Sequence, residues 1–331
     1  MQSRFPYSDT NKRYHTYDYY LKHRYGTKCA RIPIDAGFSC PNREGRRGGC
    51  TYCSSRGSGD FCADDGTLLP PQVQFAREYA RLTEKWGKRL PAIPYFQAFS
   101  GTYAPAAHLR MLYDSALQYT DQAGEPVTIP AMSVATRPDC LSGETVAYLA
   151  ELNEKPDLTV ELGLQAAHDG TLRRIRRGHT FADFLDGYEK LQKAGIPVCV
   201  HIINGLPTDT APCESREQMI YTASVLAALR PAFVKIHMLH ILSDTAMAEE
   251  WRAGSIALLS QEEYTALVCE QLSMLPPETV ICRLTGDGAA DALLAPKWTK
   301  NKRAVLAAID KTLAANDLCQ GDRYRNTGGT Q

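Results

Sequence analysis

The chain has 331 residues with 37 basic and 37 acidic side chains, so its formal net charge is zero. That length suits one large α/β domain with a modest extension, and the lack of a positive excess argues against a protein that coats nucleic acid. Hydrophobic content of 44% is ordinary for a globular fold, and there is neither an apolar run long enough for a bilayer nor a secretory h-region, so a cytoplasmic protein with no membrane partner is expected.

Residues 1–27 are polar and tyrosine-rich and read as an N-terminal extension that packs on the body. From residue 28 short β-like runs alternate with amphipathic helical stretches. The strands are predicted at 29–34, 94–100, 130–136, 158–165, 197–205 and 232–239, with helical patterns at 73–90, 108–122 and in three later segments. Six strands alternating with helices predict βα units, a parallel sheet and right-handed crossovers, forming an open sheet or barrel over residues 28–245. The alternation fades after residue 246, where helical runs predict a C-terminal elaboration over 246–331.

Polar residues gather where the strands end. A cysteine loop follows the first strand, Ser100-Gly101 ends the second, Thr136-Arg137 the third, Gln165 the fourth and Gly205-Leu206 the fifth. His237 and His240 lie on or just past the sixth. C-terminal strand ends form the active-site face of parallel α/β folds, so the pattern predicts one site ringed by six strand ends.

The cysteine loop, FSCPNREGRRGGCTYCSS, carries Cys40, Cys50 and Cys53 on a glycine-rich segment. Three thiols predict either an incomplete zinc site, which Cys62 could close, or an iron–sulfur cluster with one iron left open. No second CxxC exists in the chain. The other eight cysteines are scattered, a usage that fits a reducing compartment.

The loop resembles the cluster loop of the radical S-adenosylmethionine (SAM) superfamily. TRPDCL, ELGLQ, RRGHT, VKIHMLHILSDTAM and EEWRAG resemble the radical domain of the elongator catalytic subunit. FQAFSGTYA, ELGLQAAHDGTLRRIRRGHT, HIINGLP and LLAPKW are similar to the bacterial YhcC/YtqA family, whose YtqA branch is also called MnmL. Two features depart from that pattern: the first cysteine gap is nine residues, two shorter than usual, and GLPTDT replaces GLPGE. Nothing after residue 255 resembles the elongator subunit's acetyltransferase domain.

The resemblance implies a partial (β/α)6 barrel, a [4Fe–4S] cluster on Cys40, Cys50 and Cys53, and SAM bound at the open iron. Reductive cleavage of SAM would then give a 5′-deoxyadenosyl radical. It assigns SAM contacts to Tyr52, Gln97, Ser100, Gly101, Arg137, Glu161, Gln165 and Arg177, with Ile202 and Leu206 against the adenine. Lys235, His237 and His240, with His201, would face substrate, and a protonated Lys235 could hold a carboxylate or phosphate. The reductant would be a flavodoxin or a ferredoxin-type protein.

The resemblance also offers a substrate, the 5-carboxymethylaminomethyl side chain of the wobble uridine in a tRNA anticodon loop. Arg43, Arg46 and Arg47 would begin a local basic track to the cluster, flanked by parts of the N-terminal segment. Rival readings are a radical SAM oxidoreductase for a small metabolite or protein side chain, and a zinc-stabilised RNA-binding adaptor.

Overall fold

A computed structural model of the chain describes residues 4–45, 48–57, 62, 67–286, 288 and 291–325. Its parallel strands run in chain order: β1 (Ala30–Ile34), β2 (Ala92–Phe96), β3 (Ala131–Thr136), β4 (Asp157–Gln165), β5 (Val198–Asn204) and β6 (Phe233–Met238). Each overlaps a predicted run, although β2 ends at Phe96, four residues before the expected end at residue 100. A seventh strand, β8 (Val280–Arg283), pairs in parallel with β6, so the segment expected to be helical elaboration supplies the last strand of the sheet. The short β7 (Ile241–Leu242) pairs antiparallel with β9 (Leu293–Ala295). β8 has only four residues, too few for alternation to register against its helical surroundings.

One face of the curled sheet is covered by helices, as the alternating pattern required. Ile32 and Ile34, Phe96, Met132 and Val134, Leu158 to Leu164 at even positions, Val200 and Ile202, and Val234 and Ile236 point into one apolar layer beneath those helices. The residues between them face the concave side. β4 breaks register between Gly163 and Gln165, and Gln165 takes a left-handed conformation with φ 73°.

The N-terminal segment ends in helix α1 (Tyr17–Tyr25), whose cap is the Thr16 hydroxyl accepting from the Tyr19 N–H at 3.1 Å. Tyr17 and Tyr20 pack on Cys199, Phe233, Val280 and Cys282, at the N-terminal ends of their strands. This segment closes the end of the barrel opposite the cysteine loop, so it does not flank the expected substrate entrance. Its basic side chains are engaged there: Lys12 with Asp310, Arg13 with Asp317, Lys22 with Asp18 and Arg24 with Asp157. No helix among the described residues is long and apolar enough to cross a membrane.

Candidate active site

The concave face opens into a cavity of about 500 Å³ at the C-terminal strand ends. Cys40, Cys50 and Cys53 line one side of it, and none of the eleven cysteines is in a disulfide. The Cys53 N–H donates to the Cys50 carbonyl at 3.1 Å, a tight turn that presents both thiols together. Burial, with Cys50 beside it, pushes the Cys53 thiol up to about 12, so loading metal on this sulfur must displace a proton.

Three contacts fix the loop to the barrel. Thr51 donates its N–H to the Ile175 carbonyl at 3.0 Å and accepts from the Met247 N–H at 2.9 Å. The Asn42 amide donates to the Arg176 carbonyl at 2.7 Å and to the Cys50 sulfur at 3.4 Å. Gly178, at φ 78°, permits this approach, because a Cβ there would lie 2.3 Å from the Asn42 side-chain oxygen. RRGHT therefore needs its glycine for both conformation and clearance.

ELGLQ and the two arginines form the next wall. Arg177 is buried, donating to the Gly163 carbonyl at 3.0 Å and to the Cys50 sulfur at 3.7 Å. A Cβ on Gly163 would meet the guanidinium at 2.5 Å and the Gln165 amide at 2.6 Å. Arg137 forms a forked pair with Asp139 at 2.7 and 2.9 Å and donates to the Arg177 carbonyl at 2.7 Å. Gln97, Ser100 and Tyr52 also line the cavity. Gly101 stands behind the wall, its N–H donating to the Ala135 carbonyl at 2.8 Å.

Ile202 and Leu206, expected against adenine, do not line the cavity. They lie in apolar clusters outside it, and Ile203 lines it instead. Strand alternation is the reason: His201 and Ile203 share the concave face, whereas Ile202 belongs to the helix side.

Deeper in the cavity, Glu161 holds an ion-paired network. Its carboxylate pairs with both Arg31 and Lys235 and accepts from the Tyr95 hydroxyl at 2.7 Å. Lys235 also donates to that hydroxyl at 3.1 Å, and Arg31 stacks 3.8 Å over the Tyr95 ring. Burial opposes ionisation of Glu161, but Arg31 and Lys235 outweigh it and hold the carboxyl well below the usual range. Lys235 is thus engaged with a carboxylate of its own chain, which removes it as the simple anion grip expected from sequence. Arg31, Tyr95 and Arg283 were missed there, although an arginine inside the otherwise apolar strand CARIPI was a readable signal.

His201, His237 and His240 complete the lining. Burial and nearby Lys235 push His201 down to about 3, and burial and His201 lower His237 well below its ordinary value. Their rings pack edge to face with centroids 4.0 Å apart. Arg46 and Arg47 lie outside the described residues. Arg43 lines the cavity while donating to the Ser54 and Ser55 carbonyls.

This lining fits a thiolate-held cluster and a polar zwitterionic ligand. Gln165 Oε1, Arg177 Nε and the Nε2 atoms of His201, His237 and His240 are buried without a protein partner, groups that ask for a bound polar molecule. Among the described residues no three His, Cys, Asp or Glu side chains gather around one metal ion.

Fold and site together define a radical SAM enzyme. The chain belongs to that superfamily: the Radical SAM superfamily model matches residues 39–214, and the Radical_SAM C-terminal domain matches 231–315. It is similar to protein YtqA of Bacillus subtilis, 45% identical over 97% of this chain and 96% of that one. YhcC of Escherichia coli is 32% identical over 88% of this chain and 90% of its own. Members of the superfamily bind a [4Fe–4S] cluster and SAM, and these are the cofactors of this chain. Among solved structures, an archaeal Elp3 from Methanocaldococcus infernus shares the fold, with a TM-score of 0.64 at 17% identity, over 88% of this chain and 63% of that one.

Proposed function

We propose that this enzyme acts on the 5-carboxymethylaminomethyl side chain of the wobble uridine in tRNA. The observation that carries the reading is a similarity over 50% of the chain, at 24% identity, to a protein named tRNA uridine(34) acetyltransferase from Methanocaldococcus infernus. That match covers 30% of the other protein, so a shared base rather than a shared reaction is inferred. The cavity is open at the strand ends, where a base turned out of a single-stranded loop can enter.

In this reading Cys40, Cys50 and Cys53 hold the cluster, and Arg177, Gln165 and Ser100 hold SAM. When bound, the two supply an electron and a carbon radical able to take a hydrogen atom from an unactivated C–H bond. Arg177 brings charge to the cluster side, and the pinned loop fixes the thiols relative to the strand ends. Tyr52 and Ile203 offer the apolar contacts that exclude water from the cavity wall. A flavodoxin or ferredoxin-type protein is the electron donor.

The test is mass spectrometry of wobble nucleosides in tRNA from a strain lacking this protein and any redundant enzyme. Accumulation of 5-carboxymethylaminomethyluridine supports the reading, and an unchanged nucleoside profile refutes it. A second reading, a small metabolite or a protein side chain, is favoured by one observation. The basic side chains of the N-terminal segment, expected to flank the RNA, are ion-paired within the chain: Lys12 with Asp310, Arg13 with Asp317, Lys22 with Asp18 and Arg24 with Asp157. The unchanged profile would select it.

A further inference from the structure

Of the three arginines on the cysteine loop, Arg43 lies among the described residues, and the sequence casts it as the start of a basic track toward RNA. Its contacts run the other way, into the loop itself. Arg43 is half-buried and closes the short turn Pro41–Arg43, where its N–H donates to the Cys40 carbonyl at 2.8 Å. The side chain then crosses Gly49, the residue before Cys50. A Cβ on Gly49 would stand 3.0 Å from both Cγ and Nε of Arg43, so only glycine leaves this path open. At its far end the guanidinium donates to three consecutive carbonyls, those of Cys53 at 3.5 Å, Ser54 at 2.6 Å and Ser55 at 2.7 Å.

The surroundings hold that guanidinium in place. It lies 5.3 Å from the centroid of the Phe99 ring. Phe99 itself takes a left-handed conformation with φ 55°, which a bulky residue keeps only where its neighbours impose it. Gly57, at φ 64°, comes so close to the same ring that a Cβ would stand 2.9 Å from it. Asp244 fixes the carbonyl-bearing segment from outside the loop, accepting from the Ser55 N–H at 2.9 Å and the Ser55 hydroxyl at 3.0 Å. A planar guanidinium can serve several carbonyls at once in one rigid geometry, whereas an ammonium is a point donor on a flexible stem.

We infer that Arg43 is a positioning residue for the iron–sulfur cluster, a splint that ties together the backbone beside all three cysteines. Its own N–H fixes Cys40, its stem packs on the residue before Cys50, and its guanidinium fixes Cys53 and the two residues after it. The three thiols are thereby held in register before any iron arrives. The same positive charge, hydrogen-bonded to the backbone of a ligand residue, favours the reduced and more negative cluster. Donors spent on loop carbonyls are not offered to an RNA phosphate. This role is the same whatever the substrate, so it does not depend on the wobble-uridine reading.

The experiment compares wild type, Arg43→Gln and Arg43→Lys as full chains loaded with iron and sulfide under anaerobic conditions. Three quantities are read: iron release to an iron(II) chelator, the cluster's midpoint potential without SAM, and thermal melting of the metal-free chain. Arg43→Gln should release iron roughly ten- to hundredfold faster, the loss expected for charge-assisted contacts. Its potential should be more negative than the wild type's, and its metal-free chain should melt where the wild type does. Arg43→Lys keeps the charge without the planar fork, so it should hold a potential near the wild type's while releasing iron at an intermediate rate. A Gln variant that folds but takes up no iron also supports the splint. Unchanged iron release in Arg43→Gln overturns it, and so does a metal-free chain that melts well below the wild type, which would make Arg43 a prop of the fold at large. An unchanged potential overturns the electrostatic part. Loss of tRNA affinity at unchanged iron release would return Arg43 to the basic track.

Discussion

Replacing Glu214 by Gln should stabilise this protein, and the gain should grow with pH. Glu214 is 4% exposed and accepts a hydrogen bond from the Thr171 hydroxyl at 3.0 Å. Burial holds its carboxyl up to about 7 against an ordinary 4.5, and the Thr171 bond offsets this only in part. Below pH 4.5 both folded and unfolded chains carry the proton, so the group costs nothing. Between 4.5 and 7 the unfolded chain ionises while the folded one keeps its proton, and stability falls as pH rises. From the two values the penalty is about 1 kcal/mol at pH 5.5 and about 3 kcal/mol at pH 8.5. Gln cannot titrate and still offers Thr171 an acceptor. Denaturant unfolding of wild type and Glu214→Gln at both pH values measures the gap, which should widen by about 2 kcal/mol. A gap independent of pH, or a less stable variant at pH 8.5, refutes the argument. The residue also bears on the site: Thr171 lies on the short helix Asp169–Arg174, which leads directly into Arg177.

Glu161→Gln should do the opposite, because it leaves Arg31 and Lys235 buried without their counter-charge; a loss of about 3–5 kcal/mol is expected in denaturant unfolding. Since its partners hold the Glu161 carboxyl low, the stability it brings should persist through neutral pH and be lost only in acid. Cys53→Ala should lower iron content well below that of the wild type, whereas Cys62→Ala, whose sulfur accepts from the Gln97 amide at 3.8 Å, should leave it unchanged in iron analysis. Arg177→Ala should weaken SAM by roughly 1.5–3 kcal/mol in equilibrium binding, the cost of one charge-assisted contact.

The sequence made the framework of the site legible because it rests on short-range rules. Strand alternation and strand-end polarity located six of the seven sheet strands and placed Cys40, Ser100, Arg137, Gln165 and His237 around one opening. Ile202 shows where motif reading without geometry fails: the neighbour of a correctly placed His201 faces the opposite side of the sheet, and one position decides between adenine contact and core. The Glu161 network was hidden for a different reason. Arg31, Tyr95, Glu161 and Lys235 come from four strands separated by up to 204 positions, and no local pattern announces that they meet. Arg283 was hidden twice, by a strand too short to show a period and by its place after the alternation had faded.

Net charge says little about the site, because it averages over the surface while chemistry samples the cavity. A chain with 37 charges of each sign has no overall field to attract an anion. Many of its acidic residues pair on the surface, with Arg24, Arg173, Arg174 and Arg216 among others, while among the described residues six cationic side chains and the Glu161 carboxylate line the cavity. Surface pairs of that kind contribute little and are screened by salt. Charges around a 500 Å³ cavity act at short range in a low dielectric, where screening is weak. If the substrate is tRNA, as proposed, its long-range capture should be modest, with salt dependence set by the few phosphates met at the entrance. A titration of tRNA binding from 50 to 500 mM salt (about a threefold drop in Debye length) measures that slope. A slope steep enough to need many phosphate contacts would refute the argument and place a basic track on the surface.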